Sequence, residues 1–435
     1  AVVHATGGFM KVTCCLVLTL LVPACGSPEE IETTSSALST AQAETDRIPN
    51  NLPMRDALGF STTYSVAGHI DVHGPFFEQL GANQRTCASC HRMDQGWSIS
   101  ASATRVLFEQ TRGTDPLFRT VDGSNAPDAD VSTPQKRRSA YSMLLERGTL
   151  RVGVAMPAAA DFELTAVDDP YGFASAAQLS LFRRPLPSTN LEFIPAVMWD
   201  GRVTGASVGD ALAVQANAAT QGHAQREGPL DPATRDRIVA FETGLFTAQA
   251  LDRDVGPLDA EGGRGGAENL AGQPSLEARW DLFDAYQSSC NPRYQAIYRG
   301  QELFNTHTRS TGVGTCQGCH SQSNVGTNVK GIFFDIGTSA GARRESDQPL
   351  YTLTEIATGT VVETTDPGRA LITGKFADVD RFKVPSLRGV AARAPYFHGG
   401  SARTLAEVVA FYESSLAFVF TDDEAADLVA FLQAL

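Results

Sequence analysis

The chain is poor in positive charge. Among 435 residues only five are lysine, and 49 acidic against 35 basic side chains leave a formal net charge of −14. Wrapping a polyanion needs clustered positive charge, so nucleic-acid binding is excluded. Long apolar runs are missing too. The N-terminal run Val12 to Val22 is interrupted by Thr13 and Thr19 and falls short of the ~20 residues that span a bilayer. Methionine is scarce at six residues, with none after Met198. Ordinary glycine and proline usage, with 42% hydrophobic residues, excludes collagen-like and wholly disordered chains. What remains is a globular chain long enough for two or three domains.

The N-terminus is the first positive signal. Met10-Lys11, the short apolar run and the small residues Ala24-Cys25-Gly26-Ser27 have the layout of a secretory signal. Residues 1–25 are therefore read as a signal region. Leu21-Val22-Pro23-Ala24-Cys25 resembles a bacterial lipoprotein signal, in which Cys25 would carry a lipid anchor; an ordinary cleaved signal is the alternative. Residues 26–50, rich in Ser, Thr, Glu and Ala, read as a solvated tether.

Cysteine usage is the central fact. Cys14, Cys15 and Cys25 belong to the signal, and Cys290 stands alone. The other four form Cys87-Ala88-Ser89-Cys90-His91 and Cys316-Gln317-Gly318-Cys319-His320. C-x-x-C-H is the attachment sequence for c-type haem: the two thiols reach the two vinyl groups of one porphyrin, and the histidine faces the iron. A redox dithiol needs no following histidine, and zinc would want a second Cys or His pair nearby. Two covalently bound haem c groups are expected, on Cys87, Cys90, Cys316 and Cys319, with His91 and His320 as iron ligands.

Tyr294–Phe304 reads as a helix before the second motif. Thr421-Asp422-Asp423-Glu424 has a capping-box pattern, and Leu428, Phe431, Leu432 and Leu435 follow on one helical face. Ile238-Val239-Ala240-Phe241 echoes Leu428-Val429-Ala430-Phe431. The fold is expected to be mainly α. It would hold two cytochrome c-like haem domains, at 51–255 and 281–435, joined by a glycine-rich linker at 256–280. A long insertion at 100–195 would surround the first haem.

Phe382-Lys383-Val384-Pro385-Ser386-Leu387-Arg388-Gly389-Val390, Ala394-Pro395-Tyr396-Phe397-His398-Gly399-Gly400 and Met198-Trp199-Asp200-Gly201-Arg202 resemble the bacterial dihaem cytochrome c peroxidase and MauG family, over roughly residues 75–435. The insertion departs from the short peroxidases and suggests a larger subgroup. The resemblance implies a periplasmic oxidoreductase that reduces hydrogen peroxide with electrons passed between two haems. A small redox protein would be the donor. The alternatives are a MauG-like oxidase acting on aromatic residues of a partner protein and a plain dihaem electron carrier.

The resemblance also implies roles. Tyr412, fourteen residues after His398, falls where MauG-like members ligate the second haem through tyrosine; a core tyrosine is the alternative. His398 is a pocket residue of that haem. Trp199 passes electrons between the haems, and Arg202 holds a haem propionate while Asp200 holds the turn. Classical members cap the first haem with a histidine, but the corresponding position is Leu107. Gln215 matches a distal glutamine, and Gln225 stands where the family has a catalytic glutamate. His223 is open to three readings: an acid–base group, a loop histidine, or a sixth ligand to the first haem. Family members bind calcium partly through an asparagine. The best-matching stretch, Arg138-Ser139-Ala140-Tyr141, lacks it, which leaves calcium open.

Overall fold

Six helices of eleven or more residues form among the described residues. They are α1 (Ala101–Thr111), α2 (Val208–Gly222), α3 (Pro232–Thr243), α4 (Pro292–Thr306), α5 (Leu405–Leu416) and α6 (Asp422–Gln433). They belong to a computed structural model that describes residues 47–272, 278–328 and 330–435. Helix starts are well marked. Ser207 and Asp210 cap α2 reciprocally, as Thr421 and Glu424 cap α6, each cap stabilising its helix by about 1 kcal/mol. At α5 the box is incomplete: Thr404 Oγ1 accepts from Glu407 N, but the Glu407 carboxylate accepts from Arg403 N instead of Thr404 N.

The two halves repeat one packing plan. In the C-terminal half α4 crosses α6 at Gly300, where a Cβ would lie 1.9 Å from the Asp427 carbonyl oxygen. Phe304 of α4 then packs on Phe431 at 5.4 Å and on His320 at 6.0 Å between ring centroids. In the N-terminal half Phe76 packs on Phe241 at 5.0 Å and on His91 at 6.3 Å. Trp280 and Trp97 complete the two clusters edge-on. The Ile-Val-Ala-Phe and Leu-Val-Ala-Phe echo therefore marks equivalent positions, each placing a phenylalanine behind the one that packs on the motif histidine.

The expectation of a mainly α chain is wrong. Helix accounts for 36% and strand for 17%, a mixed α and β architecture. Residues 54–55, 59–65, 245–252 and 256–257 form a four-stranded antiparallel sheet. A three-stranded sheet joins 361–364, 350–355 and 162–168. Residues 150–154 pair with 179–183. The reason lies in the segments themselves. Gly59–Ser65 and Leu350–Glu355 are rich in Thr and Tyr, and Phe162–Asp168 alternates apolar and polar residues along much of its length, which favours pleated pairing over helix. The insertion thus carries strands beside its helices, at 150–154, 162–168 and 179–183, and its strand 162–168 is stitched to 350–355 of the C-terminal half.

The signal region and Cys25 lie outside the described residues. Of the stretch read as a tether, residues 47–49 pair with 69–71. No helix among the described residues is long and apolar enough to cross a membrane.

Candidate functional site

Two adjoining cavities, of about 1500 and 1800 Å³, contain the two C-x-x-C-H motifs. The first is lined by Cys87, Cys90 and His91, with Trp199, Arg202, Gln215 and His223. The second is lined by Cys316, Cys319 and His320, with Trp199, His398 and Tyr412. Arg184, Pro185, Leu186, Pro187, Trp199, Lys383 and Ser386 line both and form the wall between them.

Both attachment histidines are held in the same way. His91 Nδ1 lies 3.1 Å from the Trp97 carbonyl, and His320 Nδ1 lies 2.7 Å from the Gly326 carbonyl, six residues on in each case. A carbonyl only accepts, so each Nδ1 carries the proton and each Nε2 is bare, the tautomer an iron ligand needs. Burial drives both rings down to about 4, with the carbonyl bond opposing it, so both stay neutral near pH 7. None of the four motif cysteines is joined in a disulfide. Burial raises each thiol, Cys90 to about 11.

Charge on the walls supplies a test of whether haem fits. Arg184, Arg393 and Lys383 are buried, and their side-chain hydrogen bonds end on backbone carbonyls. Burial pushes them down to about 9, 10 and 8. Unneutralised buried cations are costly, and the propionate carboxylates of a haem would supply the missing negative charge. The residues fit the cofactor. Arg202 also lines the first cavity, bonded to Asp200 at 2.9 Å. Asp200 in turn binds the buried Arg183, which is bidentate to Asp366.

The distal walls come from equivalent helices. Residues 197–203 and 396–402 close matching turns through the bridges Val197↔Val203 and Tyr396↔Ala402. Both turns carry left-handed residues at their second and fifth positions, Met198 and Gly201 in one, Phe397 and Gly400 in the other. Helices α2 and α5 follow, with N-caps Ser207 and Thr404. Gln215 and Tyr412 both lie eight residues past the cap. Tyr412 makes no protein hydrogen bond among the described residues; burial raises its phenol, helped by the nearby Cys316 and Cys319. His398 stacks on Phe382 at 3.9 Å and meets the Trp199 ring edge-on at 6.2 Å. Trp199 Nε1 donates to the Arg184 carbonyl at 2.8 Å.

Not every expected residue reaches a cavity. Gln225 is exposed, in a left-handed turn, and lines neither cavity; the turn after α2 carries it away from where sequence position put it. Leu107 packs beside Phe108 in the insertion core. Two residues were not anticipated. Asp122 accepts a bond from His223 Nδ1 at 2.5 Å, and no local pattern announces it. Glu242 lines the first cavity, buried, with Oε2 unbonded. Burial alone raises its carboxyl to about 8. Among the described residues no group of three or more His, Cys, Asp or Glu side chains could hold a metal ion.

No family model matches the chain. It is 26% identical over 286 residues to cytochrome-c peroxidase IdrP2 of Denitromonas iodatirespirans, covering 62% of this chain and 74% of that protein. It is 27% identical over 250 residues to the methylamine utilization protein MauG of Paracoccus denitrificans, covering 54% and 57%. Among solved structures, a MauG-like protein associated with microbial copper homeostasis aligns over 89% of this chain and 92% of its own, at 15% identity and a TM-score of 0.40.

Proposed function

Because this chain belongs to the dihaem cytochrome c peroxidase and MauG family, we propose that it is a periplasmic peroxidase carrying two haem c groups and reducing hydrogen peroxide with electrons passed between them. The observation that carries the reading is the repeated half-site: two C-x-x-C-H motifs, each with a tautomer-fixed histidine, in cavities that share one wall. Bound haem iron supplies the redox chemistry.

The chain's residues divide the remaining work. Cys87 and Cys90, and Cys316 and Cys319, would anchor the porphyrins, while His91 and His320 would hold the irons. Arg202, with the buried cations of the shared wall, seats the propionates. Gln215 offers hydrogen bonds to peroxide in the first cavity, and His223 exchanges its proton. Trp199 lies in the wall between the cavities and carries electrons across it. Tyr412 would ligate the second iron, with His398 beside it.

Tyr412 also favours a second reading, oxidation of aromatic residues on a partner protein. An anionic oxygen ligand would lower the potential of a second haem and make it a poor acceptor from small redox proteins. The test is direct. Denatured protein is expected to gain the mass of two haems, and the native protein to oxidise a reduced small cytochrome only when peroxide is present. A gain of one haem or none overturns the proposal.

A further inference from the structure

The first cavity contains a histidine that is fixed at both ends. Its backbone carbonyl accepts from Asn83 Nδ2 at 2.7 Å and from the Arg85 guanidinium at 3.3 Å. Both donors belong to the segment just before the first attachment motif. That segment packs unusually close: a Cβ on Gly81 would stand 2.0 Å from the Ala224 carbonyl oxygen. The ring is fixed from the other side, where Nδ1 meets the Asp122 carboxylate at 2.5 Å. A carboxylate at Nδ1 keeps the proton on that nitrogen and leaves Nε2 as the ring's proton acceptor.

Asp122 is itself held. It is 4% exposed, and Arg85, at 2% exposure, bonds its other oxygen at 2.5 Å. Arg85 also donates to the carbonyls of Pro116 and Leu117, and the Asp122 carbonyl accepts from Arg151 N in the strand 150–154. Burial alone would raise the Asp122 carboxyl, but bonds and charge from His223 and Arg85 outweigh it and hold the group below its ordinary range. His91 and Asp122 are the titratable groups that act on the His223 ring, and Arg85, Arg151, Tyr141 and Cys90 stand around Asp122.

We propose that Asp122 is a positioning residue that fixes His223 as the proton acceptor of the first cavity, with Arg85 keeping Asp122 ionised. The inference deepens the peroxidase reading and rests on it. In the step it describes, a hydrogen peroxide molecule entering the cavity gives one proton to His223 Nε2 and becomes hydroperoxide. The O–H bond breaks, an N–H bond forms, and no electron changes hands. The imidazolium so formed is neutralised by Asp122 at Nδ1. The arrangement also gives the insertion a purpose, since Asp122 and the Pro116 and Leu117 carbonyls that hold Arg85 lie within residues 100–195.

The test compares two ligands of ferric haem in the holoprotein. Hydrogen cyanide, like peroxide, must lose a proton on binding, whereas nitric oxide need not. Asp122→Asn and His223→Gln are each expected to slow cyanide binding by about 10- to 100-fold, leaving nitric oxide binding unchanged. The double variant is expected to be no slower than His223→Gln, because the aspartate acts through the histidine. Wild-type cyanide rates in the variants overturn the proposal, as does equal slowing of both ligands. A change of the first haem from low-spin to high-spin in His223→Gln would make that residue an iron ligand and overturn it too. If Asp122→Asn fails to fold, the partly exposed His223→Gln decides alone. Absence of haem on residues 87–91 would overturn both this proposal and the peroxidase reading, whereas unaltered cyanide binding in a dihaem protein overturns only this one.

Discussion

Gln215 and Tyr412 stand at the same position of two equivalent helices, each eight residues beyond its N-cap and each facing its own cavity. One is a neutral amide and the other a phenol that can bind iron as an anion. The repeated scaffold thus carries different chemistry at its two distal positions. With haem bound, Gln215 would leave the first iron open to peroxide and Tyr412 would cap the second.

Tyr412 is the first position to change. Tyr412→Phe removes only a hydroxyl that has no protein partner among the described residues, so the fold should hold while the second haem becomes high-spin. Tyr412→Met should raise its potential within the ~0.8 V range that axial ligands command. Both follow from optical spectra and potentiometry. Variants with the wild-type spectrum and potential would make Tyr412 a packing residue.

Trp199 makes a second test. Trp199→Phe keeps an aromatic ring in the shared wall but loses the bond to the Arg184 carbonyl, at about 1 kcal/mol. Spectra of both haems should survive, and transfer of oxidising equivalents between them after peroxide addition should slow several-fold in stopped-flow absorbance. An unchanged transfer rate would remove the tryptophan from the path.

Glu242 governs a pH effect on stability. Burial raises its carboxyl from 4.5 to about 8 in the folded protein, so the folded state holds the proton more tightly than the unfolded chain. The stabilisation is complete below about pH 4.5 and is lost as pH rises through 8, by up to about 1.4 kcal/mol per pH unit. Glu242→Gln should flatten the fall of holoprotein melting temperature between pH 5 and 9. A parallel fall in the variant would rule the residue out.

Gly300 tests the helix crossing. Gly300→Ala puts a methyl group against the Asp427 carbonyl, and forcing α4 from α6 should cost about 1–3 kcal/mol, read by denaturant titration. A neutral substitution would mean that the crossing is looser than described.

What was legible in the sequence is what local spacing encodes. The C-x-x-C-H motifs, the capping box at Thr421 and the Phe241 and Phe431 echo all depend on contacts within a few residues or on a repeated pattern. The sheets do not. Strand 162–168 finds its partner at 350–355, across a separation no periodicity reports, and the helical signals near the motifs drew the fold reading toward α. The pairing of Asp122 with His223, 101 positions apart, was hidden for the same reason. Gln225 misled because its place in the order of residues was clear, while the left-handed turn that removes it from the cavity was not.

The most direct measurement is an electron paramagnetic resonance spectrum of the resting, oxidised dihaem protein. The account predicts one high-spin ferric signal from the haem on His91 and one low-spin signal from the haem on His320 and Tyr412, with only the low-spin signal lost in Tyr412→Phe. Two low-spin signals, with peroxide activity appearing only after partial reduction, would contradict it.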